Sequence, residues 1–309
     1  MKIHCAGAGG ITSQIDRLKT AFVELGHALV EASHAELIYC NDPGTYSEKY
    51  RENNKGAIIV YNVLDYPPHI LDPKKYDLSM YPAIHHGWKR DFDVDKLTNQ
   101  LKSADIITTI CDHVTWQVKH FSGLEAKTIH NPIKPISNLN LLNYQRIRNR
   151  NGENYKYLAV GRLADPNKRS HLIITTLGIL GESSSKLATA GTEDIRYGDF
   201  YGELSDENLN LLFNSVEYLF LLSGFRSIGL PALEAISAGI VPIVANDCPT
   251  TAEFFGDIAV PPNAHGIAEC IKSEEWNTKA RKFVNDHSEE YKQKFSPQQI
   301  CKNILKLVD

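Results

Sequence analysis

The sequence predicts an α/β protein built as two halves, each with its own parallel sheet. Three observations predict it. The chain has 309 residues, which suits two domains of about 150 residues each. Short apolar runs alternate with helical patterns in both halves. That alternation breaks once, near the middle.

Composition narrows the class. Hydrophobic residues make up 42% and charged residues 23%, ordinary values for a globular protein that builds its core without disulfides or metals. The six cysteines, Cys5, Cys40, Cys111, Cys248, Cys270 and Cys301, form no CxxC or Cys/His cluster. Their spacing favours reduced thiols and predicts no metal site. No apolar h-region follows Met1, and no apolar run reaches about 18 residues, so no membrane span is expected and a soluble cytoplasmic protein is. The net charge of −4 makes no global case for nucleic acid, although a local basic patch is compatible with it.

In the first half, residues 1–6 read as a strand, and Ile15 to Leu25 as a helix with apolar positions Ile15, Leu18, Phe22 and Leu25. Gly26 is placed to end it. Further strands are expected at Leu37–Cys40, Ala57–Asn62, Ile106–Ile110 and Lys127–His130, with helices at Val94–Lys102 and Asp112–Phe121. Strands separated by helices of this length argue for parallel βαβ units. Residues 137–154, rich in Asn and Arg, lack a period and read as a connection between domains; Arg146, Arg148 and Arg150 there are solvated charges or an interaction patch.

The second half resumes the alternation. Strands are expected at Tyr157–Val160, Lys186–Ala190, Tyr218–Leu222, Val241–Val244 and Ile258–Val260. Helices are expected at Lys168–Leu180, Asp206–Phe213, Pro231–Ala238, Thr250–Phe255 and after 263. Two Rossmann-like halves are the simplest architecture. The resulting division is 1–137, a connection at 138–154, a second domain at 155–290, and a terminal segment at 291–309. In such sheets ligands bind beyond the carboxyl ends of the strands, where loops meet helix N-termini.

Candidate sites follow from that rule. Gly7, Gly9 and Gly10 follow the first strand, so backbone there can approach a ligand at a helix N-terminus. A dinucleotide fingerprint with Glu31 as ribose acceptor is incomplete, because Thr12 holds the place of its last glycine. Arg162 at a strand end and Lys168 at a helix start would repel one another without an anion between them, and as a pair they point to a phosphate clamp. The loop 223–230, with Arg226, Ser227, Gly229 and Leu230, enters a helix at Pro231, a residue type suited to a first turn. Its N–H groups are anion donors. Glu234, one turn in, is placed to accept two ribose hydroxyls or to complement the helix dipole.

These residues carry a resemblance. Gly161-Arg162-Leu163, Lys168-Arg169, residues 201–207 (YGELSDE), Ser223, residues 229–235 (GLPALEA), Gly239, Pro242 and Glu253 stand in order and spacing from about 156 to 262. This stretch resembles the donor domain of the GT-B retaining glycosyltransferases of the family 4 type (glycosyl transferases group 1). The first half is similar to the acceptor domain more loosely, through the glycine loop, Leu25-Gly26-His27, residues 104–107 (ADII) and Asn131-Pro132-Ile133. The last helix, about 297–308, matches the family's habit of returning the C-terminus to the first domain.

The resemblance implies an α/β GT-B fold, with two Rossmann-like domains facing a cleft. It implies transfer of a hexosyl or pentosyl group from a nucleotide-diphosphate sugar to an acceptor hydroxyl, with retention. No metal and no cofactor beyond the donor are implied, since Arg162 and Lys168 neutralise the leaving diphosphate. Gly9, Gly10, Arg226, Ser227, Gly229, Leu230 and Glu234 would contact the donor.

Two positions depart from the family. Arg226 stands where a glutamate normally meets the donor sugar, so the usual hexose contact cannot be made in the same way. Leu64 stands where a histidine closes a strand before Asp65, leaving Asp65, His85 and His86 as acceptor-side catalytic candidates. Residues 189–197 lack the usual helix, a compactness that would suit a virus or phage genome. Two alternatives stay open: a phage-type enzyme modifying a nucleic-acid base, and a non-catalytic nucleotide-sugar-binding protein. Arg146, Arg148 and Arg150 with the loop 87–90 (GWKR) motivate the first, and the two departures motivate the second.

Overall fold

The computed structural model describes residues 1–7, 12–40, 47–64, 66, 93–134, 136, 147–224 and 229–309. They divide into two compact units. One holds the described residues up to Lys134 together with Gln293–Asp309, and the other the described residues of Pro135–Lys292.

The first unit contains strands β1 (Lys2–Ala6), β2 (Ala28–Leu29), β3 (Leu37–Cys40), β4 (Ile58–Val63), β5 (Ile106–Thr109) and β6 (Lys127–Thr128) in the order β2-β1-β3-β4-β5-β6. Every pairing is parallel. Helices α1 (Thr12–Glu24), α2 (Ser47–Asn53), α3 (Val94–Lys102) and α4 (Asp112–Ser122) lie between these strands in the chain. Parallel neighbours need such crossovers. The apolar stripe of α1 is buried as its period requires: Ile15, Leu18, Ala21 and Phe22 pack with Ile3, Leu37, Tyr39 and Val60. The same core takes in Ile300, Cys301 and Ile304 from the chain's last helix, whose C-terminal end brings Leu305 and Leu307 against it.

The second unit contains β7 (Tyr157–Val160), β8 (Leu187–Ala190), β9 (Asp199–Phe200), β10 (Tyr218–Leu221) and β11 (Val241–Val244) in the order β11-β10-β7-β8-β9. All of these pairings are also parallel. Its helices are α5 (Ser170–Leu180), α6 (Asp206–Phe213), α7 (Leu230–Ser237), α8 (Pro249–Phe255) and α9 (Ala264–Lys272). Helix α10 (Glu274–Lys294) then leads to α11 (Pro297–Leu305), the helix in the first core. Strands buried on both faces read as continuous apolar runs, and the residues 157–160, 218–222 and 241–244 are of that kind.

Several expectations meet differences. The strand expected at 258–260 is a single parallel bridge, Ala245 to Val260. Residues 147–154, read as part of a connection, carry a bridge between Arg148 and Asn154 and are tied into the second unit. There Asn149 Nδ2 donates to the Ser185 carbonyl at 2.9 Å, and the Ile147 N–H donates to Ser215 Oγ at 2.9 Å. These bonds run to residues distant in the chain, which a local period does not reveal. None of the cysteines is in a disulfide. Burial pushes the Cys5 thiol up to about 12, which removes it from thiolate chemistry. Among the described residues no helix is long and apolar enough to cross a membrane.

Candidate donor-binding site at the carboxyl edge of the second sheet

Because β7 to β11 all run the same way, the loops that leave them emerge along one edge. The first is 161–169. Gly161 continues the ladder, its N–H donating to Ala190 O at 2.9 Å. Asp165 then caps a single 3₁₀ turn, Pro166–Lys168, by accepting the Asn167 N–H at 2.9 Å. Arg169 adopts φ 53°, ψ 39°, and only after it does α5 begin at Ser170. Lys168 therefore ends a tight turn and does not start the helix, as the Lys168–Leu180 expectation had it. The physical reason is local: an Asp-Pro-Asn run makes its own side-chain-capped turn, and the left-handed Arg169 separates that turn from the helix.

Lys168 is half-buried, and its Nζ donates to the buried Ser223 Oγ at 3.2 Å. Desolvation holds its pKa below the usual 10.5; Asp165 pulls the other way, while Arg162 adds to the lowering. Arg162 is exposed, with its guanidinium 3.7 Å from the Asp165 carboxylate. So a carboxylate of the chain itself tempers the repulsion between the two cations. The exposed Arg162 pair is worth little in water.

The second loop leaves β8. Gly191 has φ +149°, and a Cβ there would lie 1.9 Å from the Gly161 carbonyl oxygen. Only a bare Cα allows the loops after β7 and β8 to touch. The Gly191 N–H donates to Gly202 O at 2.9 Å, and no helix intervenes between β8 and β9. The edge thus presents bare backbone beside Lys168.

The third loop leaves β10 through Ser223 and Gly224; Arg226 and Ser227 lie outside the described residues. Gly229, at φ +73°, precedes α7, and a Cβ on it would press Phe255 at 3.0 Å and Leu221 at 3.1 Å. Leu230 begins α7, with Pro231 in its first turn. Glu234 follows one turn in and is only 8% exposed. Among the predicted residues, the structure places Lys168 against the β10 loop that leads to Gly229, Leu230 and Glu234, with Arg162 at the outer side of the same β7 loop.

Sequence reading missed Asp165, Asn167, Gly191 and Asp247, and took Arg169 only as part of the Lys168-Arg169 motif. The Asp165-Pro166-Asn167 turn was the one available signal; the others meet partners far along the chain. In the first unit, Gly9, Gly10, Asp65, His85 and His86 lie outside the described residues. What the described residues show there is a buried polar group at the ends of β4 and β5. Thr108 Oγ1 donates to Asn62 Oδ1 at 3.1 Å, and Asn62 Nδ2 donates to Asn131 Oδ1 at 3.4 Å. An Asn within the apolar run 58–64 was its signal.

Comparison with solved structures settles the architecture. A sucrose-phosphate synthase from Thermosynechococcus elongatus superposes with a TM-score of 0.74 at 13% identity, over 100% of this chain and 98% of that one. The chain has the GT-B fold. A glycosyltransferase from Rickettsia africae matches this GT-B chain at a TM-score of 0.68 and 10% identity, over 99% of this chain and 97% of its own. An alpha-glucosyltransferase in complex with UDP and a 13-mer DNA containing an HMU base matches at 0.62 and 12%, over 100% and 99%. No family model and no curated protein matches the sequence.

Two outcomes are expected from this geometry. Gly191→Ala should lower stability by about 3 kcal/mol or more in denaturant unfolding, since backbone strain of this kind alone costs about 1–3 kcal/mol and the clash with Gly161 adds to it. Lys168→Met should raise the melting temperature of the ligand-free protein near neutral pH. The sign follows from the lowered pKa: the cost of holding the charged amine is fully present below the folded pKa and fades as pH rises towards the unfolded 10.5. The gain should therefore shrink with rising pH, as read by melting curves across an alkaline series.

Proposed function

We propose that this chain is a retaining glycosyltransferase that moves a sugar from a nucleotide-diphosphate donor to an acceptor hydroxyl without a metal. The observation that carries the proposal is Lys168, a partly desolvated ammonium held on Ser223 beside the bare backbone of Gly161 and Gly191. A cation burdened in that way gains most from an anion, because the anion offsets the cost of its desolvation. The resemblance of residues 156–262 to donor domains and the glycosyltransferase neighbours support the same reading.

The proposed step begins as the bond between the sugar's anomeric carbon and the β-phosphate oxygen breaks, and the leaving diphosphate gains charge. Lys168 stabilises it from inside the loop, Arg162 from the solvent side, and the first-turn N–H groups of α7 from its end. The acceptor hydroxyl attacks the face the phosphate leaves, and its proton passes to a departing phosphate oxygen. Glu234 accepts the ribose hydroxyls, and Arg226 is the candidate partner for the donor sugar. Asp65, His85 and His86 remain the acceptor-side candidates.

A second reading, transfer to a nucleic-acid base, is favoured by one finding: a neighbour that this chain spans almost end to end was solved with UDP and DNA containing a modified base. The net charge of −4 weighs against it, as do the local engagements of Arg148 with Gly152 O and of Arg150 with Asp199. A steep loss of acceptor binding with salt would separate it from a small-molecule acceptor.

The test is thermal stabilisation by UDP, GDP, ADP, dTDP and NAD. At about 100-fold excess over its Kd, the cognate nucleotide should add about 2.7 kcal/mol. One nucleoside diphosphate should stabilise the protein, and Lys168→Ala should remove the effect. Stabilisation by NAD alone would overturn the proposal.

A further inference from the structure

Arg169 combines three features that a surface arginine lacks. Its backbone is left-handed, at φ 53°, a conformation in which Cβ is crowded and which glycine adopts freely. Its guanidinium forms a fork with Asp247, Nη1 to Oδ1 at 2.9 Å and Nη2 to Oδ2 at 2.7 Å, with the two side chains only 17% and 24% exposed. Its flat face lies against Gly224, where a Cβ would sit 2.4 Å from Nη2 and 2.7 Å from Cζ. Asn167 completes the contact, since both its carbonyl and its side-chain oxygen accept the Gly224 N–H at 3.1 Å.

These contacts join three loops around one guanidinium. Arg169 belongs to the loop after β7, Gly224 to the loop after β10, and Asp247 to the turn after β11. The residue before Arg169 is Lys168, and the residue before Gly224 is Ser223, the acceptor of the Lys168 ammonium. A planar fork fixes both distance and angle, which a lysine in its place does not. Backbone strain persists where the surroundings over-determine it, and here the fork and the glycine floor do so.

We propose that the Arg169–Asp247 pair, seated on Gly224, is the positioning device that holds Lys168 in place to receive a diphosphate. The proposal rests on the donor-site reading given above. Arg169 acts through Lys168 and through the loop geometry, and Asp247, as its partner, keeps a neutralised carboxylate near an anion site. Removing either partner breaks the tie between the β7 and β11 loops, leaves the Asn167–Gly224 bonds as the main hold on the β10 loop, and lets Lys168 swing out to water.

The experiment is calorimetric titration of UDP and of inorganic pyrophosphate, as a function of pH, into the full chain and its variants. Lys168→Ala is the control for the site. Arg169→Gly removes the fork and the strain together, while Asp247→Asn keeps size and shape. Each should weaken pyrophosphate and UDP binding about tenfold, and the double variant should lose no more than either single one. The alkaline limb of binding should also move up towards 10.5, because a lysine released to solvent loses the desolvation that lowers its pKa. The other groups acting on that lysine, Asp165, Arg162 and Cys248, are not substituted in any of these variants.

A structural role alone would lower the melting temperature and leave affinity and the pH limb unmoved, which overturns the proposal. Where Arg169→Gly or Asp247→Asn fails to fold, Arg169→Lys decides. It keeps the cation without the fork, and unchanged affinity in it overturns the proposal equally. Loss of binding in Lys168→Ala with wild-type binding in the Arg169 and Asp247 variants rejects the clamp and leaves the donor site standing. Unchanged binding in Lys168→Ala rejects the donor-site reading itself.

Discussion

The parallel direction of every strand in the second sheet is the constraint on which the rest depends. It sends the loops after β7, β8, β10 and β11 to one edge, where backbone that leaves the ladder must find new partners. Much of this edge meets that demand with very small residues. Gly191 touches the carbonyl of Gly161, Gly224 lies on a guanidinium, and Gly229 fits between Phe255 and Leu221. At Gly161 and Gly191 the main chain stays partly exposed, beside a lysine whose ammonium is drawn inward onto Ser223.

That ammonium is costly to the apo protein. Its position between desolvation and the relief offered by Asp165 and Ser223 leaves a partly compensated charge at the strand ends. Stability given up at such a place is the usual accompaniment of a site that waits for a ligand of opposite charge. The Arg169–Asp247 fork shows the same economy: strain in one residue is tolerated because it ties three loops together.

Much of the fold was legible in the sequence because it is written locally. The strands at Leu37–Cys40, Tyr157–Val160 and Val241–Val244 and the helix at Val94–Lys102 stand where apolar runs and periodicity place them. The burial of Ile15, Leu18 and Phe22 follows from their spacing alone. Gly229, Leu230 and Glu234 were legible as residue types at a helix start, whereas Lys168, read as a helix start, ends a 3₁₀ turn. What escaped is what depends on distant partners. Arg169 meets Asp247 across 78 positions, and Gly191 meets Gly161 only through the register of β7 with β8. The start of α5 was misplaced because a 3₁₀ turn and a helix share the same polar entry residues.

The central claim is that the loops after β7, β8 and β10 hold a diphosphate on Lys168. It is tested most directly by a crystal structure of the chain soaked with UDP, or with whichever nucleoside diphosphate binds. The account expects the diphosphate within hydrogen-bond distance of Lys168 Nζ and of backbone N–H groups near Gly161 and the start of α7, with the ribose at Glu234. A nucleotide seated instead at the glycine loop of residues 7–10, with Lys168 still on Ser223, would contradict it.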